Sequence, residues 1–363
     1  MTALQRPGSA QLAIKRTRVV GIVSVAATWL TLCDTAIAEN MTEIVAADDS
    51  ATWVIALHGG AGSARRTDHT TEAEAAIRAD LTAALEAGAA LLEKGAAGTD
   101  AIVAALTLLE DSPRFNAGRG AALDEHGQAR HDASIMRGND LAAGAIAGSS
   151  RIRNPIAAAR AVMENTKNVM LSDGGADWFA ANNGLEMAEP TYFITDRRYQ
   201  LLLDERAKGE GPTAYVPSGD ALFGTVGAVV LDRAGNLSAG TTTGGRTNKR
   251  YGRIGDTPII GAGTYASNTS CGVSATGHGE YFMRWTVARD ICARVELAGE
   301  SLEQAATRLL VDMLLPKGGT GGVVTMEPSG KTVFVATTAN LRRGVMSSTT
   351  PARIAVYSDE EVE

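Results

Sequence analysis

The order of local patterns along this chain constrains its fold more than any single motif. Residues 52–58 (TWVIALH) read as a buried strand that runs into a glycine turn at 59–62. Residues 72–93 carry apolar side chains at helical spacing, with Gly88 on the same face and Gly95 as a terminating glycine. Thr99-Asp100 starts a second helix with a broad apolar face, and Asn154-Pro155 opens a third. Residues 169–171 suggest a short strand. Residues 204–224 are polar, bear Gly and Pro and lack period, which marks a surface linker. At Thr225 the chain turns abruptly into a β-branched strand, TVGAVVLD. A Gly235-Asn236 turn and a second strand, LSAGTTT, complete a hairpin. Helices over 280–297 and 301–315 follow. Two closing strands, 321–326 and 332–338, flank Pro328-Ser329-Gly330. Strands that come in pairs, apart from helices that come in pairs, predict an α+β fold of antiparallel sheets covered by helices rather than alternating βα units.

Of 363 residues, 45% are apolar, enough for a sizeable core. Gly is abundant, 40 residues, and clusters in HGGAG, FNAGRG, TTTGG and GGTGG. Without a period these clusters exclude collagen and suit tight backbone near a ligand. The net charge of −7 and the lack of a basic stripe argue against nucleic acid and leave a small polar substrate.

The first 38 residues form an address. Lys15, Arg16 and Arg18 precede an apolar run over 19–32, and Ala36-Ile37-Ala38 supplies an A-x-A site. This is the pattern of a secretory signal peptide, so the chain is expected to be exported, to the periplasm, with no stable membrane association once processed. An uncleaved anchor is the alternative. Leu32 before Cys33 disfavours lipidation, and Arg16-Thr17-Arg18 is not an adjacent arginine pair. Cys271 and Cys292 are expected as two separate buried thiols, although an exported protein permits their oxidation.

Familiar catalytic patterns are absent: no HExxH, no zinc-type Cys pairs, no phosphate loop and no G-x-S-x-G elbow. The junction at 224–225 remains. Were that bond to break, Thr225 would gain a free α-amine beside its own hydroxyl, joining nucleophile and general base in one residue. Such an amine titrates near ~8, in the useful range for a base. Gly224, without a Cβ, lets the hydroxyl approach the preceding carbonyl. A Gly-Thr pair at the head of a strand is ordinarily only a strand start, so the surroundings must decide.

Those surroundings are GTVGAVVLD (224–232), TTTGGRTNKRYGRIGDTPIIGAGTYASN (241–268), SATGHGE (274–280) and GGTGGVV (318–324), with HGGAG (58–62), FNAGRGA (115–121), DASIM (132–136) and NPI (154–156) upstream. Over residues 52–340 the chain resembles the plant-type asparaginase and isoaspartyl peptidase family of N-terminal-nucleophile hydrolases. The resemblance implies a four-layer αββα sandwich made from a self-cleaved precursor, with an α subunit of residues 39–224 and a β subunit of residues 225–363. It implies Thr225 as nucleophile and Thr243 as hydrogen-bond partner of its hydroxyl. Thr276 and the N–H of Gly277 would form an oxyanion hole, and Asn116 would support the scissile bond. Arg253 would take the substrate α-carboxylate, and Asp256, with the Gly279 carbonyl, the α-ammonium. The substrates implied are isoaspartyl dipeptides and L-asparagine, cleaved through a β-aspartyl ester on Thr225.

No cofactor is implied for the chemistry. A structural sodium is, held by main-chain carbonyls of Leu109, Glu110, Ser112, Phe115, Ala117 and Arg119. The family also implies a dimer of αβ units. Met136-Arg137-Gly138 departs from the family's usual Met-Asp-Gly. His58 reads as a structural histidine at a strand end, and His278, between two glycines, as a pocket-lining residue without a catalytic role. Two other functions stay open. A glycosylasparaginase-like amidase is disfavoured by Gly224 and Thr243-Gly244-Gly245. A non-catalytic exported aspartate-binding relative is disfavoured by the intact Thr225, Thr243, Arg253, Asp256 and Thr276 set.

Overall fold

A computed structural model describes residues 40–208 and 224–362. The address segment 1–38 and residues 209–223 of the linker lie outside the described residues. Two sheets stack face to face. The larger has eight strands in the order Arg353–Tyr357, Asn340–Ser347, Val54–Gly62, Val226–Leu231, Leu237–Thr243, His131–Arg137, Ala143–Ser149 and Met170–Ser172. All neighbours are antiparallel except the last pair. The smaller sheet runs Met41–Val45, Thr332–Ala336, Gly321–Met326, Gly272–Gly277 and Thr264–Ala266, all antiparallel.

Strand parity builds the layers. Ile55, Leu57, Val226, Ala228 and Val230 point to the helices Thr71–Glu93, Gly98–Asp111 and Pro155–Asn165. Their sequence neighbours Val54, Ala56, Val229 and Leu231 point the other way, onto Val324, Met326 and Phe334 of the smaller sheet. That sheet turns Val273, Ala275, Val323 and Val335 to a second helical layer, Val287–Ala298 and Leu302–Thr307. Three apolar cores in series make the αββα sandwich.

Several expectations shift. Gly59 to Gly62 continue the first strand instead of turning. Gly60 has φ +100°, and a Cβ there would stand 2.5 Å from the Cα of Gly224. The glycine serves close approach between strands, not chain reversal. Residues 204–207 are helical, the end of Asp196–Ala207, rather than linker. The helix expected over 280–297 is two, Gly279–Arg284 and Val287–Ala298, broken where Thr286 takes φ +45°. The helix expected over 301–315 is α-helical only to Thr307 and then widens into a π-helical stretch, Arg308–Leu314. Cys271 and Cys292 are not separate thiols: they form a disulfide with Cα atoms 5.3 Å apart, joining the head of a strand to the buried face of a helix. Periodicity could not show this pairing, because both residues also satisfy a core pattern.

Candidate active site

Parity also places the chemistry. Thr225, Gly227, Val229 and Leu231 form one face of their strand, as do Leu237, Ala239, Thr241 and Thr243 of its hairpin partner, and both faces look into the gap between the sheets. From the opposite sheet Ser274 and Thr276 look back. The deep part of this gap is apolar. Toward one end it becomes hydroxyl-lined: Ser274 Oγ contacts Thr241 Oγ1 at 2.7 Å and His58 Nε2 at 2.9 Å. Burial pushes the His58 pKa down to about 3, so the ring is neutral and holds the two sheets together as a dipole. His58 is structural, within its strand rather than at its end.

At the open end of this gap sits Thr225, 9% exposed. Its hydroxyl donates at 3.0 Å to Thr243 Oγ1 on the hairpin partner strand, the residue that the resemblance singles out. The preceding carbonyl, of Gly224, accepts the N–H of Asn116 at 3.2 Å. Asn116 is itself fixed on three sides. Its carbonyl takes the N–H of Gly244, its Nδ2 donates to Gly245 O at 2.7 Å, and its Oδ1 accepts from Ala122 N at 2.7 Å. The loop after Thr243 and the bond before Thr225 are therefore held by one asparagine. Thr276 reaches the same region through Ala61, whose N–H donates to Thr276 Oγ1 at 3.4 Å, one residue from the Gly60–Gly224 contact. Gly277 follows at the strand end, opposite Gly321.

Arg253, Asp256 and Gly279 meet nearby. A Cβ on Gly279 would lie 2.8 Å from Asp256 Oδ1 and 2.9 Å from Arg253 Nη2. Arg253 does not pair with Asp256. Its Nε and Nη2 grip the two oxygens of Glu280 at 2.9 and 3.0 Å. Burial opposes charge on Glu280, yet the Arg253 bonds outweigh it and hold that carboxyl at about 2. Asp256 has no such bond. Its Oδ2 is buried without a partner, and burial raises its pKa to about 7 against the pull of Arg253. A buried carboxylate with an open lone pair beside a guanidinium that is already anchored is a receptor for a cation next to an anion. His278 lines this corner, 3.3 Å from Glu280 Oε2 and edge-on to Tyr281.

Two contributors went unassigned at the level of sequence. Glu280 closes the SATGHGE stretch, and its signal was an acid directly after the loop glycine. Asp132, in DASIM, is buried with Oδ2 unpartnered. It accepts the Gly148 N–H at 2.9 Å and stands in the field of buried Lys249 and of Arg253. A short-range pattern could not show either contact, since each spans distant segments.

The expected sodium loop folds closely on its own backbone. A Cβ on Gly118 would strike the Glu110 carbonyl at 2.2 Å, and one on Gly120 the Phe115 and Pro113 carbonyls at 2.1 and 2.9 Å. Two of the six carbonyls that the resemblance assigns to sodium, those of Glu110 and Phe115, thus lie against residues without side chains, and oxygen donors of this hard kind suit such a cation. The Glu110 side chain is engaged elsewhere. Burial raises its pKa to about 8, and Oε1 accepts from Thr242 Oγ1 and Ile156 N.

The asparaginase family profile matches residues 51–356. The chain is similar to the isoaspartyl peptidase of Escherichia coli K12, at 43% identity over 295 residues, 80% of this chain and 91% of the relative. It is 44% identical over 282 residues to the isoaspartyl peptidase of Salmonella typhimurium, covering 76% of this chain and 90% of the relative. A Bos taurus isoaspartyl peptidase/L-asparaginase is 41% identical over 278 residues, 77% of this chain and 88% of that protein.

Proposed function

Because the chain belongs to the asparaginase family, we infer that it is an amide hydrolase of isoaspartyl dipeptides and L-asparagine, and we propose Thr225 as its nucleophile. The observation that carries this reading is the pair of contacts around one bond: the Thr225 hydroxyl on Thr243, and the Gly224 carbonyl on the Asn116 N–H.

Self-cleavage begins when the Thr225 hydroxyl adds to the Gly224 carbonyl, with the Asn116 N–H facing the oxygen where charge develops. The ester that forms is hydrolysed by water, and Thr225 keeps its amine. That amine then serves as the base in each turnover, and Thr243 orients the hydroxyl. The substrate's aspartyl end sits with its α-ammonium on Asp256 and the Gly279 carbonyl. Its α-carboxylate takes the Nη1 side of Arg253, because Glu280 already holds the Nε–Nη2 edge. Thr225 attacks the side-chain carbonyl, Thr276 and the Gly277 N–H receive the oxyanion, and the amine or ammonia leaves. Water releases aspartate. Only the aspartyl end is gripped, so the leaving group is free to vary.

In this reading residues 39–224 and 225–363 become α and β subunits that assemble as a dimer of αβ units. A sodium on the Leu109–Arg119 carbonyls would brace the segment that presents Asn116; the cation supplies rigidity and takes no part in the chemistry. We place the protein outside the cytoplasm, in the periplasm. The A-x-A pattern at 36–38 and the Cys271–Cys292 disulfide support this, the latter because such bonds persist in oxidising compartments. Among the described residues no helix is long and apolar enough to cross a membrane. Intact-mass spectrometry of the protein beside Thr225→Ala, paired with an assay on β-Asp-Leu, tests the core of this reading. Two fragments and activity from the first, one inactive uncut chain from the second, is the expected result. One active uncut chain from both would remove Thr225.

A further inference from the structure

A guanidinium stays charged under almost any condition, so buried arginines without acidic partners call for an anion. Such a group lies against the scissile bond. A pocket is lined by Gly224 and Asn116 together with Arg114, Arg197, Arg198 and Arg342. Arg198 is 3% exposed. Its Nε donates to the Gly120 carbonyl, while Nη1 is buried with no partner. Arg342, also buried, lies over the Phe115 ring and gives Nη1 to the Arg114 carbonyl at 3.3 Å. Arg197 stands at the rim. Arg114 has Asp80 at 3.4 Å, but among the described residues Arg197, Arg198 and Arg342 meet no carboxylate. Burial, then the neighbouring guanidiniums, bring the Arg198 pKa down to about 9 and that of Arg342 to about 10. Among the described residues, the rest of this pocket's lining is uncharged, the 224–225 peptide bond included.

We propose that the pocket is a binding site for a carboxylate-class oxyanion beside the 224–225 bond. Two sources share that chemistry. One is a small oxyanion from solution. The other is made on the spot: hydrolysis adds water across the 224–225 amide, one water oxygen ends on Gly224 as a carboxylate, the nitrogen leaves as the Thr225 amine, and the proton released by the acid is taken up by that amine. Only this second source rests on the self-cleavage reading.

Sulfate is the probe, titrated at constant ionic strength against chloride while thermal unfolding is followed. In the uncut Thr225→Ala chain, sulfate is expected to raise the midpoint with saturation. Adding Arg197→Gln, a rim change that spares the buried cluster, is expected to weaken half-saturation at least fivefold. A rise that does not saturate, or one that Arg197→Gln leaves unchanged, overturns the site. The processed protein then assigns the source. If Gly224 supplies the carboxylate, sulfate has no effect there and carboxypeptidase leaves the fragment ending in Gly224 untrimmed. If the anion comes from solution, sulfate saturates as in the uncut chain and the fragment is trimmed. A wild-type chain that remains whole by mass refutes self-cleavage alone, since the sulfate titration of the uncut chain still decides the pocket.

Discussion

Asp256 gives the sharpest test of the substrate grip. Raising its pKa from 3.8 to about 7 corresponds to about 4 kcal/mol against the charged form inside the site. A ligand ammonium binds the charged form. L-Aspartate as a competitive inhibitor should therefore approach a plateau Ki above about pH 8 and weaken as pH falls. At pH 5.5 about 3% of the free site is ionised, so Ki should rise roughly 30-fold from its plateau. Burial dominates this shift, with Arg253 opposing it and Glu280 and Asp132 adding to it. Glu280, held at about 2, does not titrate in this range. The Thr225 amine does, and Asp256→Asn is the control: it keeps the amine and should leave Ki weak and nearly flat. The stability sign runs opposite to binding. Between pH 4 and 7 the folded state holds a proton that the unfolded chain has lost, so this residue erodes stability as pH rises through that window, and Asp256→Asn should unfold later than the parent at pH 8. A Ki that is flat from pH 8 to 5.5 in the parent protein would refute the assignment of Asp256 to the ammonium.

Four further outcomes follow from the geometry. Arg253→Ala removes a charge-assisted contact and should raise KM for β-Asp-Leu by about 10- to 100-fold, read from initial rates. Glu280→Gln should raise KM less and leave kcat nearly intact, because it only loosens the guanidinium; an equal loss in kcat would place Glu280 in the chemistry instead. Gly60→Ala would set a Cβ against the Gly224 backbone and should slow fragment formation on a gel time course. Replacing Cys271 and Cys292 by Ala opens a loop of sequence separation 21 and should cost about 3 kcal/mol in denaturant unfolding.

How much was legible in the sequence depended on the range of the interaction. The hairpin at Thr225, the helices opening at residues 71 and 155 and the strand at 321 carry local signals of turn, cap and period. The strands His131–Arg137 and Ala143–Ser149 do not. The latter, AGAIAGS, is covered on both faces, so it shows neither alternation nor bulk. At the site, Thr243 and Asn116 were expected near Thr225 from resemblance; Thr243 Oγ1 accepts from the Thr225 hydroxyl, and Asn116 gives its N–H to the Gly224 carbonyl. The grip of Glu280 on Arg253 and the arginine pocket were not legible, because the groups that meet come from separate segments of the chain: Glu280 with Arg253, and Arg114, Arg197 and Arg342 with one another.

The place of residue 225 in the larger sheet has a last consequence. The strand that begins there lies between Val54–Gly62 and, through its hairpin partner, His131–Arg137, so segments from before and after the 224–225 bond alternate across one ladder. Severing that bond changes no strand neighbour, but it changes the molecularity of folding. The intact chain folds as one molecule, whereas two fragments must find each other and interleave. Melting of the processed form should then depend on protein concentration and scan rate, while the Thr225→Ala chain refolds from dilute solution. Processing of this kind acts as a ratchet: the fold is assembled once, before the cut, and is afterwards held largely by the slowness of its unfolding.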